Sequence, residues 1–307
     1  MNTFEYFEGE SFLKQDPPEF QFYVTPIVPA GGVVLMHGEG GIGKSTLAWQ
    51  MGNCVQVGEP FLKLQTHKTN VLLMSMDMPK IVMLGKWLKS GFRPKFDTLT
   101  TEAFNIGALG FERSEFFTSI QAIHEKKRFG LVLVDALGET HEYEAGDPQA
   151  PAKVYGCFRR WFHEATILFI HHDRKRKVLD SGKLSEPTHE DFLGSQQWRS
   201  YATVQLHMFR VTEQVTRLKH SKSQITPLIE PIDMFVSDDG TSVEPWTEHQ
   251  AEVASGKYIE VVRELLAQDP EFMKRKVAVR DEEVAKRLGE SVRTVQRIRS
   301  QQAGLGA

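Results

Sequence analysis

Four short aliphatic runs recur along the first half of the chain. They lie at residues 33–36, 71–74, 131–134 and 167–170, and the segments between them carry apolar residues at helical spacing. Short β-branched and aliphatic runs predict buried strands, and strands that alternate with helices predict a parallel sheet joined by crossover helices. The pattern therefore predicts an α/β fold.

One crossover helix is evident from the spacing of its apolar residues. They follow an i, i+3, i+4, i+7, i+8 pattern and are Val154, Cys157, Phe158, Trp161 and Phe162. Arg159 and Arg160 fall on the opposite face, so the predicted helix is amphipathic. We expect the apolar stripe to pack on the sheet rather than to bind a cofactor.

The pattern changes in the second half of the chain. Residues 204–209 and 215–218 alternate between apolar and polar positions, as half-buried strands do. Asp238, Asp239 and Gly240 are typical residues of a hairpin turn. We expect these strands to extend the sheet in the antiparallel direction.

Changes of composition divide the chain into four parts. Residues 1–30 are polar and contain several prolines, which predicts an irregular lead-in, and residues 31–244 hold the α/β core. Residues 245–257 have the composition of a linker. Residues 258–307 begin with a helical pattern and lead into a basic region, so we expect a small all-α domain there.

The overall composition favours a soluble globular protein. Of the 307 residues, 40% are hydrophobic and 25% are charged, which is ordinary for a globular chain. No apolar run approaches the roughly 18 residues of a membrane helix, and the first residues lack the basic and apolar segments of a signal peptide. Because Cys54 and Cys157 are the only cysteines, we expect a reduced, cytoplasmic environment and no membrane partner.

The strongest motif directly follows the first aliphatic run. Residues 38–45 fit G-x-x-x-x-G-K-[ST], the P-loop that binds phosphate between a strand and a helix. Lys44 is expected to reach the β- and γ-phosphates and Ser45 to coordinate Mg²⁺, while backbone N–H groups surround the phosphate. We therefore expect ATP and Mg²⁺ as cofactors. The predicted nucleotide-binding residues are Gly38, Gly40, Gly41, Ile42, Gly43, Lys44, Ser45 and Thr46.

Two aspartates follow predicted strands and are candidates for the catalytic chemistry. Asp135 follows the run at 131–134, where a carboxylate opposite the P-loop supports Mg²⁺. Asp77 lies just past the run at 71–74, where a carboxylate could polarise the water that attacks the γ-phosphate. The alternative interpretation for each is a turn residue, because aspartate is common where strands end.

A histidine pair, His171 and His172, ends the fourth aliphatic run. Such a pair is more often structural than a ligand set. Since no cysteine or further histidine lies at zinc spacing, the sequence does not predict a zinc site.

These motifs together resemble the RecA/DnaB-like ATPases, and within them the plasmid RepA-type hexameric replicative helicases and their phage relatives. The resemblance covers approximately residues 20–235. The matching segments are residues 29–32, 38–45, 76–79, 131–135, 146–147, 171–175 and 194–195. The resemblance implies a RecA-like core that assembles as a homo-oligomeric ring, with ATP at subunit interfaces and single-stranded DNA in the channel. It also implies that His172, or His171, senses the γ-phosphate and couples it to the DNA-binding loop that follows.

The chain departs from this family at two positions. Asp77 stands where the family's catalytic residue is typically glutamate, so the carboxylate is one methylene shorter. The broader family supplies a basic residue to the neighbouring subunit from a Lys-x-Arg sequence, but this chain has Lys222, Ser223 and Gln224 there. Three arginines are candidate substitutes, namely Arg199, Arg210 and Arg217.

The first candidate surface for nucleic acid is a basic segment at residues 174–183. Its basic residues are Arg174, Lys175, Arg176, Lys177 and Lys183. Such a segment could follow a single-stranded backbone, with Trp198 as a stacking surface for bases. The alternative is a solvated loop without a ligand.

The second candidate surface lies at residues 281–301, which resemble a helix-turn-helix. Ala285 would pack between the helices, Gly289 would form a left-handed turn, and Val295 with Ile298 would seat the second helix. From residue 274 to 299 nine residues are basic and four are acidic. We expect duplex DNA contact through Arg293, Gln296 and Arg297. Docking on another protein surface is the alternative.

The sequence thus predicts an ATP-dependent DNA-translocating ATPase, most plainly a replicative helicase of a plasmid, phage or integrated element. Lys44, Asp77, Asp135 and His172 are its predicted catalytic residues, and Ser45 with Asp135 would hold the metal. Two alternatives stand beside it. One is a RecA-like ATPase that loads or regulates other DNA proteins without unwinding. The other is a non-enzymatic switch, in which ATP sets the assembly state and the helix-turn-helix binds DNA.

Overall fold

The structure is a computed structural model. It describes residues 21–100, 114–140, 143, 146–174, 185, 192–195, 197–212, 215–237, 240, 242–289, 292, 295–296 and 298–299. The helices are α1 (Lys44–Val57), α2 (Lys80–Ser90), α3 (Ser114–Lys127), α4 (Ala150–Trp161), α5 (Gln197–Tyr201), α6 (Trp246–Gln268) and α7 (Val277–Leu288). The strands are β1 (Phe22–Val24), β2 (Val28–Pro29), β3 (Val33–Gly38), β4 (Asn70–Ser75), β5 (Asp97–Thr100), β6 (Phe129–Asp135), β7 (Thr166–His172), β8 (Val204–Arg210), β9 (Thr216–Ser223), β10 (Ile232–Val236) and β11 (Val243–Pro245).

A nine-stranded sheet in the order β11-β10-β9-β8-β3-β7-β6-β4-β5 organises the core. From β5 to β8 the neighbouring strands are parallel, and β9, β10 and β11 continue the sheet in antiparallel pairing. The four strands predicted from aliphatic runs are confirmed as β3, β4, β6 and β7.

Strand β8 corrects the prediction that the later strands are all antiparallel. It pairs with β3 in parallel. The connection from β7 to β8 covers residues 173–203 and includes α5, so the chain has enough length to cross over and enter in the same direction. The hairpin between β10 and β11 is antiparallel as predicted, with Gly240 in its turn at φ 65°. Asp238 and Asp239 lie outside the described residues.

Helices pack on both faces of the sheet because side chains alternate along each strand. In β3, Val34 and Met36 join one core with residues of α1 and α2. Val33 and Leu35 join the opposite core with residues of α3, α4 and α5. Both faces of the central strands are therefore covered, as their continuous apolar sequences require.

The predicted stripe of α4 packs into the second core. Phe158, Trp161 and Phe162 are at most 2% exposed, whereas Arg159 and Arg160 face solvent. The stripe is structural, as predicted.

Trp198 also lies in this core and cannot serve as a surface for stacking bases. It is 2% exposed, and its ring meets Tyr155 edge-on at a centroid distance of 5.3 Å. Tyr155 donates its hydroxyl proton to the Trp198 carbonyl at 2.8 Å. The sequence placed Trp198 near a basic segment, but the helical turn of α5 directs its ring toward the sheet.

The C-terminal residues form a helical unit around a third core that contains Val284, Ala285 and Val295. Helix α7 ends at Leu288 and is capped by Gly289, whose φ of 69° gives the predicted left-handed turn. Ile298 is 3% exposed, and buried Asp281 accepts two hydrogen bonds from Arg299 at 3.0 and 3.1 Å. The left-handed turn and the burial of Ala285, Val295 and Ile298 agree with the prediction, and the helix-turn-helix itself stays a prediction. Gln296 is exposed, whereas Arg293 and Arg297 lie outside the described residues.

The predicted linker at residues 245–257 is helical instead. Helix α6 begins at Trp246, directly after Pro245, and continues without interruption to Gln268. Proline suits this boundary because its missing N–H is not needed at the start of a helix.

Part of the predicted irregular lead-in is regular. Strands β1 and β2 pair as a small antiparallel hairpin, and Val24 and Val28 are buried in the first core. Residues 1–20 lie outside the described residues. No helix in the described part of the chain is both long and apolar enough to cross a membrane.

Candidate nucleotide site

The P-loop lies between the end of β3 and the start of α1, as its motif requires. Gly41 and Gly43 have φ values of 75° and 94°, which favour glycine over residues with side chains. No side chain of the described residues caps α1. Its first N–H groups and the positive end of its dipole are therefore available to a phosphate. A Cβ atom on Gly38 would clash with the Met208 carbonyl oxygen, so this position also has no room for a side chain.

Lys44 is 4% exposed and bonds to its own loop. Its ammonium donates to the carbonyls of Gly38 and Glu39 at 2.8 and 2.6 Å, and lies 3.3 Å from Nδ1 of His172. Burial lowers the pKa of Lys44 to about 8, although the charges of carboxylates led by Asp173 oppose that shift. The site thus holds a buried cation that an anionic ligand would stabilise.

Asp135 lies opposite the P-loop at the end of β6 and is 2% exposed. Burial, followed by repulsion from Asp77, raises the pKa of Asp135 to about 6, and a hydrogen bond with Ser45 counteracts the rise. Oδ2 of Asp135 is buried and has no hydrogen-bond partner among the described residues. A carboxylate oxygen without a partner, next to the Ser45 hydroxyl, suits a hard cation such as Mg²⁺.

Asp77 is exposed two residues beyond the end of β4. Strand β4 is the neighbour of β6, and Ser75 is in register with Asp135. The charge of Asp77 raises the pKa of Asp135 and opposes the lowering of the Lys44 pKa, so the carboxylate lies within electrostatic reach of both.

The two histidines at the end of β7 lie in different surroundings. His172 is half-buried and faces Lys44, and burial, followed by the Lys44 charge, lowers its pKa. His171 contacts the Leu193 carbonyl through Nε2 at 2.6 Å and packs on Phe192 at a centroid distance of 4.7 Å. Of the two candidates that the sequence offered, His172 is the one beside the P-loop.

The hairpin between β10 and β11 also borders the P-loop, which the sequence motifs did not indicate. Thr46 donates its hydroxyl proton to the Gly240 carbonyl. A Cβ atom on Gly43 would lie 2.7 Å from Cγ1 of Val236. The hairpin and the loop are distant in sequence, and only the antiparallel extension of the sheet brings them together.

A second feature missed by sequence reasoning is a buried cluster of His37, Asp173 and His207. These residues come from β3, the end of β7 and β8, and their ligand atoms all lie within 4.8 Å of one another. His37 and His207 are register partners in the parallel pair of β3 and β8. Knowledge of that pairing would have revealed the cluster, but the sequence predicted the opposite strand direction.

Three of the four basic residues considered for action on a neighbouring subunit form hydrogen bonds within the chain. Lys222 donates to the Arg199 carbonyl at 3.0 Å, and Arg199 donates to Gln205 Oε1 at 3.1 Å. Arg217 forms a two-pronged pair with Asp233 at 2.6 and 2.9 Å. In the basic segment at residues 174–183, Arg174 is exposed and the other residues lie outside the described part of the chain.

Comparisons with known proteins bear on the fold of the chain. A protein-family model described as an AAA domain matches residues 7–178. The crystal structure of the RadB recombinase is similar at 16% identity with a TM-score of 0.45, covering 70% of this chain and 91% of that one. The ATPase domain of G40P is similar at 11% identity with a TM-score of 0.47, covering 70% and 84%. No curated protein is significantly similar in sequence.

The two structural similarities are too distant to indicate an activity. The family match and the observed sheet carry the fold assignment. One strand, β7, separates the P-loop strand β3 from the Asp135 strand β6, and the parallel order is β8-β3-β7-β6-β4-β5. The predicted α/β, RecA-like core with a mostly parallel sheet is confirmed.

Proposed function

Because the chain belongs to the AAA domain family of P-loop ATPases, we propose that it uses ATP to translocate on DNA, as a replicative DNA helicase of a plasmid, phage or integrated element. The observation that carries the proposal is the contact of 3.3 Å between Lys44 and His172. It joins the phosphate-binding loop to the strand that enters the basic segment at residues 174–183. ATP binding and a DNA-binding segment would thereby share one structural element.

The chain's own residues supply the groups that phosphoryl transfer needs. Lys44 would donate to the β- and γ-phosphate oxygens in place of the carbonyls of Gly38 and Glu39. Ser45 and the unpartnered oxygen of Asp135 would hold Mg²⁺, which when bound neutralises charge on the phosphates. The N–H groups at the start of α1 would bind the remaining oxygens.

Asp77 would orient the attacking water. Its exposed carboxylate is at the same end of the sheet as Asp135, and the accepted proton can pass to solvent from there. Since aspartate reaches one methylene less far than glutamate, we expect slow basal hydrolysis that depends on closure of the site.

His172 would respond to the γ-phosphate through Lys44. When Lys44 turns toward a phosphate, its contact with Nδ1 of His172 is lost or rearranged. His172 lies two residues before Arg174, so the change would reach the first residue of the basic segment. Neutral imidazole suits this role, because burial lowers the pKa of His172.

Assembly and duplex binding complete the proposal. Since Lys222, Arg199 and Arg217 are engaged within the chain, a residue of a neighbouring copy would reach the phosphates only after rearrangement in a ring. The helical unit at the C-terminus would contact duplex DNA through the exposed face that includes Gln296.

One alternative has its own support. Asp77 is short for a water-positioning residue, and Gln224 replaces the basic residue expected there. Both favour an ATP-dependent assembly switch with little turnover. Such a switch would form nucleotide-dependent oligomers and bind duplex DNA without hydrolysing ATP at a useful rate.

The deciding experiment measures ATP turnover with and without single-stranded DNA, together with strand displacement on a forked duplex. The helicase proposal predicts hydrolysis that single-stranded DNA stimulates and displacement that requires ATP. Stimulated hydrolysis without displacement would favour a loader or regulator. Undetectable turnover with ATP-dependent assembly would favour the switch.

A further inference from the structure

The cluster of His37, Asp173 and His207 lies next to the nucleotide site, and none of its three residues is among the proposed catalytic residues. His37 and Asp173 are 3% and 8% exposed. Nδ1 of His37 lies 3.0 Å from both carboxylate oxygens of Asp173, and Nε2 of His207 lies 3.1 Å from Oδ2. Two imidazoles therefore donate to one buried carboxylate.

The orientation of the rings favours this hydrogen-bonded arrangement over a shared metal ion. The rings of His37 and His207 are stacked with centroids 4.4 Å apart and planes 14° apart. An imidazole lone pair lies in the ring plane, and zinc lies about 2.0–2.1 Å from each nitrogen. Two stacked, nearly parallel rings do not direct their lone pairs to one point at that distance. A carboxylate with two oxygens can accept from both.

The charges within the cluster are balanced. Burial alone would raise the pKa of Asp173, but hydrogen bonds from His207 and His37 outweigh burial and hold that pKa below its ordinary value. Burial lowers the pKa of His37, although the hydrogen bond and the charge of Asp173 oppose that shift. Asp173 is thus held as a carboxylate between donors that do not both need to be charged.

The carboxylate is connected to the P-loop through the backbone. Asp173 directly follows His172, and the Asp173 N–H donates to the Gly38 carbonyl at 2.9 Å. The same carbonyl accepts from Lys44 at 2.8 Å. A shift of Lys44 would therefore change its contact with His172 and its bond to the Gly38 carbonyl, which also accepts from Asp173.

The cluster also contacts Phe192, which comes after the segment at residues 174–191 that follows β7. Asp173 forms an antiparallel bridge with Phe192. The Phe192 ring lies edge-on to His37 at a centroid distance of 5.4 Å. His171 contacts the adjacent Leu193 carbonyl. Asp173 and Phe192, the residues on either side of the segment 174–191, therefore lie at the same cluster.

We propose that His37 and His207 are positioning residues of the ATP site. Their hydrogen bonds to Asp173 fix the end of β7, which keeps His172 next to Lys44 and Phe192 next to Asp173. We call this arrangement of His37, Asp173 and His207 the clamp. The proposal rests on the proposed function for its link to DNA. It adds two histidines on β3 and β8 that touch no phosphate but determine how well His172 responds to one.

The test removes or replaces the hydrogen-bond donor of His207, which is its Nε2–H group. His207→Gln keeps an N–H donor at a reach similar to Nε2, whereas His207→Phe keeps an aromatic ring against His37 and removes the donor. His220→Phe is the matched control, because His220 is a buried histidine on the neighbouring strand β9. The kcat and KM for ATP of the full chain are measured with and without single-stranded DNA, together with the Kd of ADP.

We expect His207→Phe to lower kcat about tenfold or more, because displacement of a positioned group by about 1 Å can cost up to about a hundredfold. The Kd of ADP should stay within about threefold, since the P-loop contacts are unchanged, a difference of under about 1 kcal/mol. His207→Gln should restore most of kcat, and His220→Phe should leave it unchanged. Equal kcat values for the folded Phe and parent proteins would overturn the proposal, as would equal losses for Phe and Gln.

A second measurement does not depend on a folded variant. Proton NMR of the parent chain should show two slowly exchanging imidazole N–H signals shifted downfield by their bonds to Asp173, and MgADP should move them. Absence of both signals would contradict the clamp. One equivalent of Zn²⁺ bound by the parent and lost in His207→Gln would replace the clamp with a metal site.

These outcomes separate the clamp from the proposed function. If the parent hydrolyses ATP without response to DNA, the helicase proposal fails while the kcat contrast still tests the clamp. If the parent shows no turnover, the NMR response to MgADP decides. A response of the cluster signals supports the clamp, and its absence contradicts it.

Discussion

The ammonium of Lys44 lies 3.3 Å from Nδ1 of His172, which joins the P-loop to the end of β7. Lys44 also donates to two carbonyls of its own loop, so this buried cation is bound entirely by neutral acceptors. A phosphate would supply the negative charge that these acceptors lack. Burial lowers the pKa of Lys44, and a bound phosphate would draw its ammonium away from these neutral acceptors.

The affinity for MgADP should be highest between about pH 6 and about pH 8. Above the Lys44 pKa of about 8, the free protein loses the proton that the phosphate complex retains, so binding must take up a proton and weakens. Below the Asp135 pKa of about 6, the carboxylate is protonated in the free protein and binding Mg²⁺ must release a proton, so binding weakens again. Calorimetry in buffers of different ionisation enthalpy measures both proton exchanges.

The control for this pH profile is Lys44→Arg, whose guanidinium does not deprotonate in this range. It should show no proton uptake at about pH 8.5, whatever its affinity. Identical proton uptake in the parent and the Arg variant would show that Lys44 does not cause the loss of MgADP affinity at alkaline pH.

Asp77→Asn should lower kcat for ATP hydrolysis by about a hundredfold while leaving the Kd of ADP nearly unchanged. The reason is that the amide removes a proton acceptor but no phosphate contact. Asp77→Glu is the informative comparison, because it restores the longer reach typical of the resembling family and should raise kcat above the parent value. Hydrolysis by the Asn variant at the parent rate would leave Asp77 as a turn residue.

Trp198→Ala should destabilise the fold by about 3–5 kcal/mol, because a fully buried aromatic side chain is removed from the second core. Tyr201→Ala on the same helix should cost much less, since Tyr201 is 47% exposed. Urea unfolding measures both. A loss of single-stranded DNA affinity in Trp198→Ala without a loss of stability would contradict the buried position.

The α4 stripe and Trp198 show where prediction from the sequence succeeds and where it stops. The apolar stripe of α4 was predictable because a single helix contains its whole pattern. Trp198 was not, because the direction of its ring depends on how a five-residue helix, Gln197–Tyr201, meets the sheet. The spacing of apolar residues predicts the buried face of a helix only when the helix is long enough for that spacing to repeat.

The residues of the site differ in the same way. The P-loop and Asp135 were predicted from short motifs, and His172, or His171, from the family resemblance; the structure places the P-loop, Asp135 and His172 together. The bond from Thr46 to Gly240 and the cluster around Asp173 were not predicted, because they depend on the strand order and on the parallel direction of β8. Contacts between residues separated by more than a hundred positions need the sheet register, which no local pattern contains.

The helical unit should bind duplex DNA independently of ATP turnover. Replacement of Arg293, Gln296 and Arg297 by alanine should weaken duplex affinity by about 1–3 kcal/mol for each lost base contact and flatten any sequence preference. The ATPase rate should not change, because the proposed catalytic residues lie in the core.

Neutralising the basic segment at 174–183 should instead weaken single-stranded binding with a smaller salt slope.

Duplex and single-stranded binding measured across a salt series distinguish these two surfaces. The matched control is Lys126→Ala with Lys127→Ala, which removes positive charge from α3 elsewhere on the core. Unchanged duplex binding in the triple variant would assign the helical unit to protein docking.

The measurement that tests the central claim most directly is ATP hydrolysis by the parent chain and by Lys44→Ala, with and without single-stranded DNA. We predict that the parent hydrolyses ATP, that DNA increases the rate, and that the folded Ala variant loses turnover and binds ATP weakly, because it lacks the main side-chain charge on the β- and γ-phosphates. Hydrolysis by folded Lys44→Ala at a rate close to that of the parent would contradict the account.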